Sequence, residues 1–135
     1  MKQLLDFAWH DVRLLDIDID RSDPGNADTV RITVEWAEWE PHPPEQRSII
    51  EFTNCYRLEA VMNFGIVCDE SLLDAWPEPD HPEIAKIQAS FKVTDLFCWV
   101  FETSSTGGTI KIIAREVAVK PLSWRSSPLS AKWLS

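Results

Sequence analysis

The residue types best suited to chemistry in this chain are its histidines, its cysteines and a run of carboxylates. His10 and Asp11 are adjacent, and a carboxylate beside an imidazole can tune the imidazole pKa for acid–base catalysis. Adjacent residues on an extended chain point in opposite directions, however, and the sequence ties no nucleophile to this pair. His42 and His81 lie in proline-rich segments, and no metal-ligand spacing links the three histidines. We therefore expect structural or capping roles for the histidines.

The cysteines and the glycine-rich segment also predict structure rather than catalysis. Cys55, Cys68 and Cys98 are an odd number without a C-x-x-C pair, so neither a disulfide framework nor a zinc knuckle is indicated. Each lies beside apolar residues, which is typical of buried reduced thiols. The segment 104–108, SSTGG, lacks the lysine and the helix of a phosphate-binding loop and predicts a hairpin turn. The sequence predicts no catalytic residue, no metal ligand and no cofactor.

A row of carboxylates is the most distinctive polar pattern. Asp16, Asp18 and Asp20 alternate with apolar residues, and further acids follow as in a calcium loop. The EF-hand template fails, because Arg21 replaces its glycine and Ala27 replaces its bidentate glutamate. Carboxylates two apart on a strand share one face and repel one another unless they face water, a cation or a basic partner. Excluding calcium leaves water and a basic protein as the alternatives.

This row belongs to a predicted β-hairpin, residues 12–36. Residues 12–20 place Leu15, Ile17 and Ile19 on the face opposite the aspartates. Residues 29–36 alternate in the same way, with valines, an isoleucine and Trp36 on one face. Between them, Pro24-Gly25 suits the two central positions of a type II turn.

The remaining pattern predicts a run of strands, a helical insertion and a closing hairpin. Strands are expected over residues 47–54, 56–68, 96–102 and 109–119, the last with a bulge near Ala114. A helical turn over residues 69–77, capped by Asp69, and a helix after Pro82 separate them. We predict a single α+β domain, residues 1–135, with a bent antiparallel sheet of about six strands and one or two short helices between strands 4 and 5. A half-barrel is the main variant, the core spans residues 5–120, and residues 121–135 form a strap or a flexible tail.

The charge is strongly acidic and unevenly distributed. The net charge is −9, and residues 1–83 hold 19 acids against 6 bases. Such a field repels nucleic acid and anionic membranes but steers a basic protein towards the surface. The N-terminus lacks the hydrophobic region of a signal peptide, and no apolar run is long enough to span a bilayer. We expect a cytoplasmic protein.

Three segments give the chain a familial likeness. They are Trp9-His10-Asp11 with residues 14–20, Met62-Asn63-Phe64-Gly65-Ile66 with Asp69-Glu70-Ser71, and residues 105–108 with 110–114. Together they resemble small uncharacterised bacterial proteins, some of which are similar to immunity proteins of polymorphic toxin systems. The resemblance implies a toxin partner but no catalytic residue.

The leading hypothesis is a non-enzymatic acidic protein-binding module, of immunity or inhibitor type, that blocks a basic toxin or another basic protein. The predicted contact residues are Asp16, Asp18, Asp20, Glu35, Glu38, Trp39 and Glu40. The alternative is a small-ligand binder or enzyme with a pocket inside the bent sheet, lined by Trp99, Phe101, Tyr56 and Asn54. A homodimer is compatible with either hypothesis.

Overall fold

The computed structural model describes residues 1–25, 28–37, 45–65, 70–104 and 106–123. A short 3-10 helix, Lys2–Asp6, precedes six strands and one α-helix. The strands are β1 (Arg13–Asp20), β2 (Thr29–Glu35), β3 (Arg47–Val61), β4 (Leu72–Pro77), β5 (Phe97–Thr103) and β6 (Thr109–Pro121), with α1 (Pro82–Phe91) between β4 and β5. The predicted α+β class, with a six-stranded antiparallel sheet and a helical insertion, is confirmed.

The sheet is antiparallel throughout, in the order β1-β2-β3-β6-β5-β4. It bends far enough for its two edge strands to meet at one end. There Asp11 N donates to Leu72 O at 2.9 Å and Leu72 N donates to Val12 O at 2.8 Å. An isolated bridge between Arg13 and Ser71 continues the contact. The bend therefore encloses the inner face of the sheet as a core.

The predicted hairpin, the closing hairpin and the helix after Pro82 are all present. β1 pairs with β2 and β5 pairs with β6. Gly25 has a φ of 84°, the positive value that the turn prediction required. His81 caps α1 by accepting a hydrogen bond at Nδ1 from Glu83 N, and Pro82 occupies the first helical turn.

The predicted helical turn over residues 69–77 is wrong where the structure describes it, because Leu72–Pro77 is strand β4. This strand pairs with β5, so Leu72 and Ala75 are buried while Leu73 and Trp76 are exposed. The segment has only six residues, and pairing with a neighbouring strand outweighs a weak local preference for helix. The prediction of two separate strands over residues 47–54 and 56–68 also differs from the structure, because residues 47–61 form one continuous strand.

The predicted bulge near Ala114 lies on the partner strand. Cys55 pairs with Ala114 and Arg57 pairs with Ile113, so Tyr56 is the extra residue and β3 contains the irregularity. The inward-facing side of β6 changes parity after Ala114: Ile110, Ile112 and Ala114 belong to the inner core and Val117 and Val119 pack against it, whereas Ile113 belongs to the outer cluster. β6 therefore changes its inward-facing side close to Ala114, where the bulge was predicted, while the extra residue lies in β3.

Two apolar clusters cover the two faces. The inner one is rich in aromatic residues, with Trp9, Trp36, Trp99 and Phe101 packed together. The outer one lies under α1 and contains Ile87, Cys98, Val100 and Ile113. No helix among the described residues is long and apolar enough to cross a membrane.

Candidate functional site

The predicted acidic row lies on the outer face of β1, where a buried arginine occupies its centre. Arg31 of β2 is only 4% exposed. Its Nη1 lies 3.4 Å from Asp18 Oδ2 and 3.5 Å from Asp20 Oδ2, and its Nε donates to Glu51 Oε2 at 3.0 Å. Lys120 Nζ donates to the second oxygen of Glu51 at 2.8 Å. An ionic ladder therefore crosses four strands, with three carboxylates facing two cations.

This ladder explains how neighbouring carboxylates coexist on one strand. The backbone N–H and the hydroxyl of Ser22 are the main causes that lower the pKa of Asp20, and Arg31 lowers it further. Asp18 and Asp20 thus have cationic and hydrogen-bonding neighbours within the protein. Asp16, at the other end of the row, is exposed. Of the three aspartates, Asp16 is the one best placed to contact another molecule.

The other predicted contact residues divide into a paired glutamate and a segment outside the described residues. Glu35 accepts a hydrogen bond from Arg47 Nε at 2.7 Å and another from Arg13 Nη1 at 3.1 Å. Arg47 is the main cause that lowers the pKa of Glu35. Glu38, Trp39 and Glu40 lie outside the described residues. Trp36, their neighbour, is buried and donates to Ser48 Oγ at 2.9 Å.

Asp16 borders an apolar groove that the sequence pattern did not predict. The groove encloses about 360 Å³ and is lined by Leu14, Leu15, Asp16, Ile17, Met62, Phe64 and Glu70. We call it the Leu15–Phe64 groove. Phe64 is 85% exposed and Leu15 is 37% exposed. Exposed large apolar side chains around a concave surface are typical of a protein-binding site.

A bulge in β1 accounts for the exposure of Leu15. Leu14 pairs with Val34 and Asp16 pairs with Thr33, so Leu15 is an extra residue between them. Leu14 and Ile17 pack against the inner core, whereas Leu15 does not. Of the three residues predicted to form the apolar face of β1, only Ile17 packs against the inner core, because Leu15 is 37% exposed and Ile19 is 56% exposed.

A second groove lies where the β1–β2 hairpin approaches β3 and α1. Two cavities of about 300 Å³ and about 510 Å³ share Arg21, Asp28, Cys55 and Tyr56 in their walls. We call this pair the Arg21–Tyr56 groove. Arg21 Nε donates to Asp28 Oδ1 at 3.0 Å, and this contact is the main cause that lowers the pKa of Asp28. The positive charge of Arg21 in this groove is therefore balanced by the carboxylate of Asp28.

The four residues predicted to line one pocket inside the sheet do not lie together. Trp99 and Phe101 are fully buried in the inner aromatic cluster. Tyr56 and Asn54 instead line the Arg21–Tyr56 groove on the surface. The ring of Trp9 packs against both aromatic residues of the inner cluster, with centroids 5.9 Å from Trp99 and 5.6 Å from Phe101.

The described thiols are poorly suited to nucleophilic catalysis. Both Cys55 and Cys98 are free. Burial raises the pKa of Cys55 to about 12 and that of Cys98 to about 11. A thiol with such a pKa contains very little thiolate near neutral pH. Cys68 lies outside the described residues.

One described cluster has the donor types of a metal site. Donor atoms of Glu78, His81 and Cys98 all lie within 4.8 Å of one another. β5 contributes Cys98, while Glu78 and His81 come from the connection between β4 and α1. Cys98 is distant in sequence from the other two residues, and the fold brings it close to them. The short spacing between Glu78 and His81 is visible in the sequence and is the kind of spacing that can indicate a metal site.

Comparison with known proteins identifies no relative: no family model matches the chain, and no curated protein or solved structure matches it.

Proposed function

We propose that this chain is a non-enzymatic acidic protein-binding module whose partner is a basic protein. The observation that supports it most is the Leu15–Phe64 groove, whose wall contains exposed apolar side chains together with the acidic residues Asp16 and Glu70. Interfaces commonly combine a central apolar anchor with charged residues at the rim. Glu70 accepts a hydrogen bond from Thr106 Oγ1 at 2.6 Å, which fixes its position at this rim.

The chemistry of the partner follows from the same surface. An apolar side chain of the partner enters the groove beside Phe64, while lysine or arginine residues face Asp16 and Glu70. The net charge of −9 steers such a partner during encounter. Asp18, Asp20 and Glu35 contribute to this field although they are paired within the protein. The specific form of the proposal is an immunity or inhibitor protein that blocks a basic toxin.

The test is affinity purification from the native source with the wild-type chain and two matched variants. Phe64→Ser removes the exposed ring of the Leu15–Phe64 groove. Phe91→Ser removes a ring that is 63% exposed but lines the Arg21–Tyr56 groove. We expect the wild type and Phe91→Ser to recover the same basic protein, identified by mass spectrometry, and Phe64→Ser to lose it.

Kinetics on the purified partner then separate the apolar and charged contributions. Asp16→Lys is expected to lower the association rate several-fold, and added salt is expected to lower the wild-type rate. Phe64→Ser is expected to raise mainly the dissociation rate. An acidic partner, or binding unchanged by both substitutions, would contradict the proposal. If the partner is a toxin, co-expression of the wild-type chain should neutralise it and Phe64→Ser should not.

A second candidate function is binding of a small molecule in the Arg21–Tyr56 groove. Its volume is adequate, and Asn54 and Tyr56 provide polar groups in its wall. The pairing of Arg21 with Asp28 weakens the case for an anionic ligand. A ligand screen by thermal shift, repeated with Tyr56→Ala, tests this function. Loss of a specific shift in that variant would support it, and the absence of any stabilising ligand would count against it.

A further inference from the structure

We propose that Glu78, His81 and Cys98 form a binding site for Zn²⁺ that ties the start of α1 to the outer face of the sheet. The three residues supply a carboxylate oxygen, an imidazole nitrogen and a sulfur, which is a donor set typical of zinc. This inference is independent of the proposed partner-binding function.

The fold holds these donors together before any metal binds. Glu78 N donates to Cys98 O at 2.9 Å, which fixes the two residues side by side at the edge of β5. His81 is buried, and its main-chain N donates to Glu78 O at 3.3 Å. Donor atoms in a tetrahedral zinc site lie roughly 3.5 Å apart, given metal–ligand bonds of about 2.0–2.3 Å. The donors are within 4.8 Å of one another, so closure requires movements of about 1 Å.

A fourth donor is close to the histidine. Glu59 Oε2 lies 3.5 Å from His81 Nε2. Because His81 Nδ1 accepts the hydrogen bond from Glu83 N, we assign Nε2 as the metal ligand. Glu59 of β3 can either join the metal or accept a hydrogen bond from a metal-bound water. The site would then link β3, β5 and the N-terminus of α1.

Metal binding changes the protons of two ligands. The Cys98 thiol must release its proton to solvent, because the thiolate is the form that binds zinc. Neutral His81 carries its proton on Nε2 while Nδ1 caps the helix, so the proton must move to Nδ1 when Nε2 binds the metal. The helix then loses its cap at Glu83 N. The cation Lys111, whose Nζ is 3.1 Å from Glu78 Oε2, must also turn away.

These requirements allow one set of substitutions that should weaken metal binding and another that should strengthen it. Co²⁺ is the spectroscopic probe, because a thiolate ligand gives a charge-transfer band and tetrahedral coordination gives strong visible bands. We expect the full chain to bind one equivalent of Co²⁺ at Cys98, and Zn²⁺ to displace it. Cys98→Ser should abolish the thiolate band and weaken binding at least tenfold. Cys55→Ser, which removes the other described thiol, should leave both unchanged.

Two further variants keep the test decisive if Cys98→Ser fails to fold. His81→Ser retains a helix-capping side chain but removes the imidazole, so it should weaken binding at least tenfold. Lys111→Met removes the competing cation and should strengthen binding several-fold. Failure of the wild type to bind stoichiometric Co²⁺ or Zn²⁺ at micromolar concentrations would overturn the proposal. A thiolate band that persists in folded Cys98→Ser would also overturn it.

Discussion

Removal of the Arg31 guanidinium should destabilise the protein strongly, since this cation holds the ionic ladder together. Arg31→Met keeps much of the side-chain volume, leaves the Lys120–Glu51 pair in place and deprives Asp18 and Asp20 of the cation that they share. The arginine and Glu51 side chains are 5% and 8% exposed, so their pair is buried.

The expected magnitude follows from burial. Breaking a buried ion pair by removing one partner costs about 3–5 kcal/mol, because the remaining charge stays desolvated. Lys120 still neutralises part of Glu51, and Asp18 and Asp20 are more exposed, so the lower end of that range applies. We expect a loss of about 3 kcal/mol in the free energy of unfolding.

Urea denaturation followed by circular dichroism measures this loss. The matched control is Arg21→Met, which removes an ion pair whose arginine side chain is 66% exposed and should therefore cost much less than Arg31→Met. Adding Glu51→Met to Arg31→Met removes the stranded charge, so the double variant should recover part of the stability. Equal losses in Arg31→Met and the Arg21→Met control would refute the burial argument.

Three further predictions concern the hairpin, a strand turn and a thiol. Arg47 lowers the pKa of Glu35 from its ordinary value of 4.5. The stability that this carboxylate contributes is therefore complete above pH 4.5 and is lost as the pH falls through the lower pKa of the folded state. Glu35→Gln should make the free energy of unfolding in urea depend less on pH in this acid range. Gly108→Ala should destabilise the protein by roughly 1–3 kcal/mol, because a Cβ at this position would clash with the Val61 carbonyl oxygen. An unchanged melting temperature would contradict this contact. Cys55 should react with iodoacetamide at pH 8 far more slowly than a solvent-exposed cysteine, because burial raises its pKa to about 12. Rapid labelling of Cys55, detected by peptide mapping with mass spectrometry, would contradict this prediction.

Local sequence was sufficient for features whose cause is local. The Pro24-Gly25 turn, the alternation of β2 and the proline at the start of α1 all depend on residues adjacent in the chain. Each was predicted correctly because turn geometry, strand alternation and helix capping require specific residue types at fixed spacing. The acidic composition also follows from sequence alone.

Features that depend on pairing between distant segments were decided only by the tertiary structure. β4 is a strand because β5 pairs with it, and Leu15 is exposed because the register with β2 shifts beside it. Neither neighbour can be read from the residues themselves.

The carboxylate row shows the same division between sequence and structure. Its spacing placed Asp16, Asp18 and Asp20 together on one strand, and this determined that they must meet water, a cation or a partner. Only the fold placed Arg31 beside two of them, leaving Asp16 exposed next to the Leu15–Phe64 groove. Likewise, the sequence determined the donor types of Glu78, His81 and Cys98, while chain folding brought the donors within 4.8 Å. Charge and side-chain chemistry are properties of residues, whereas proximity between residues far apart in the chain is a property of the folded sheet.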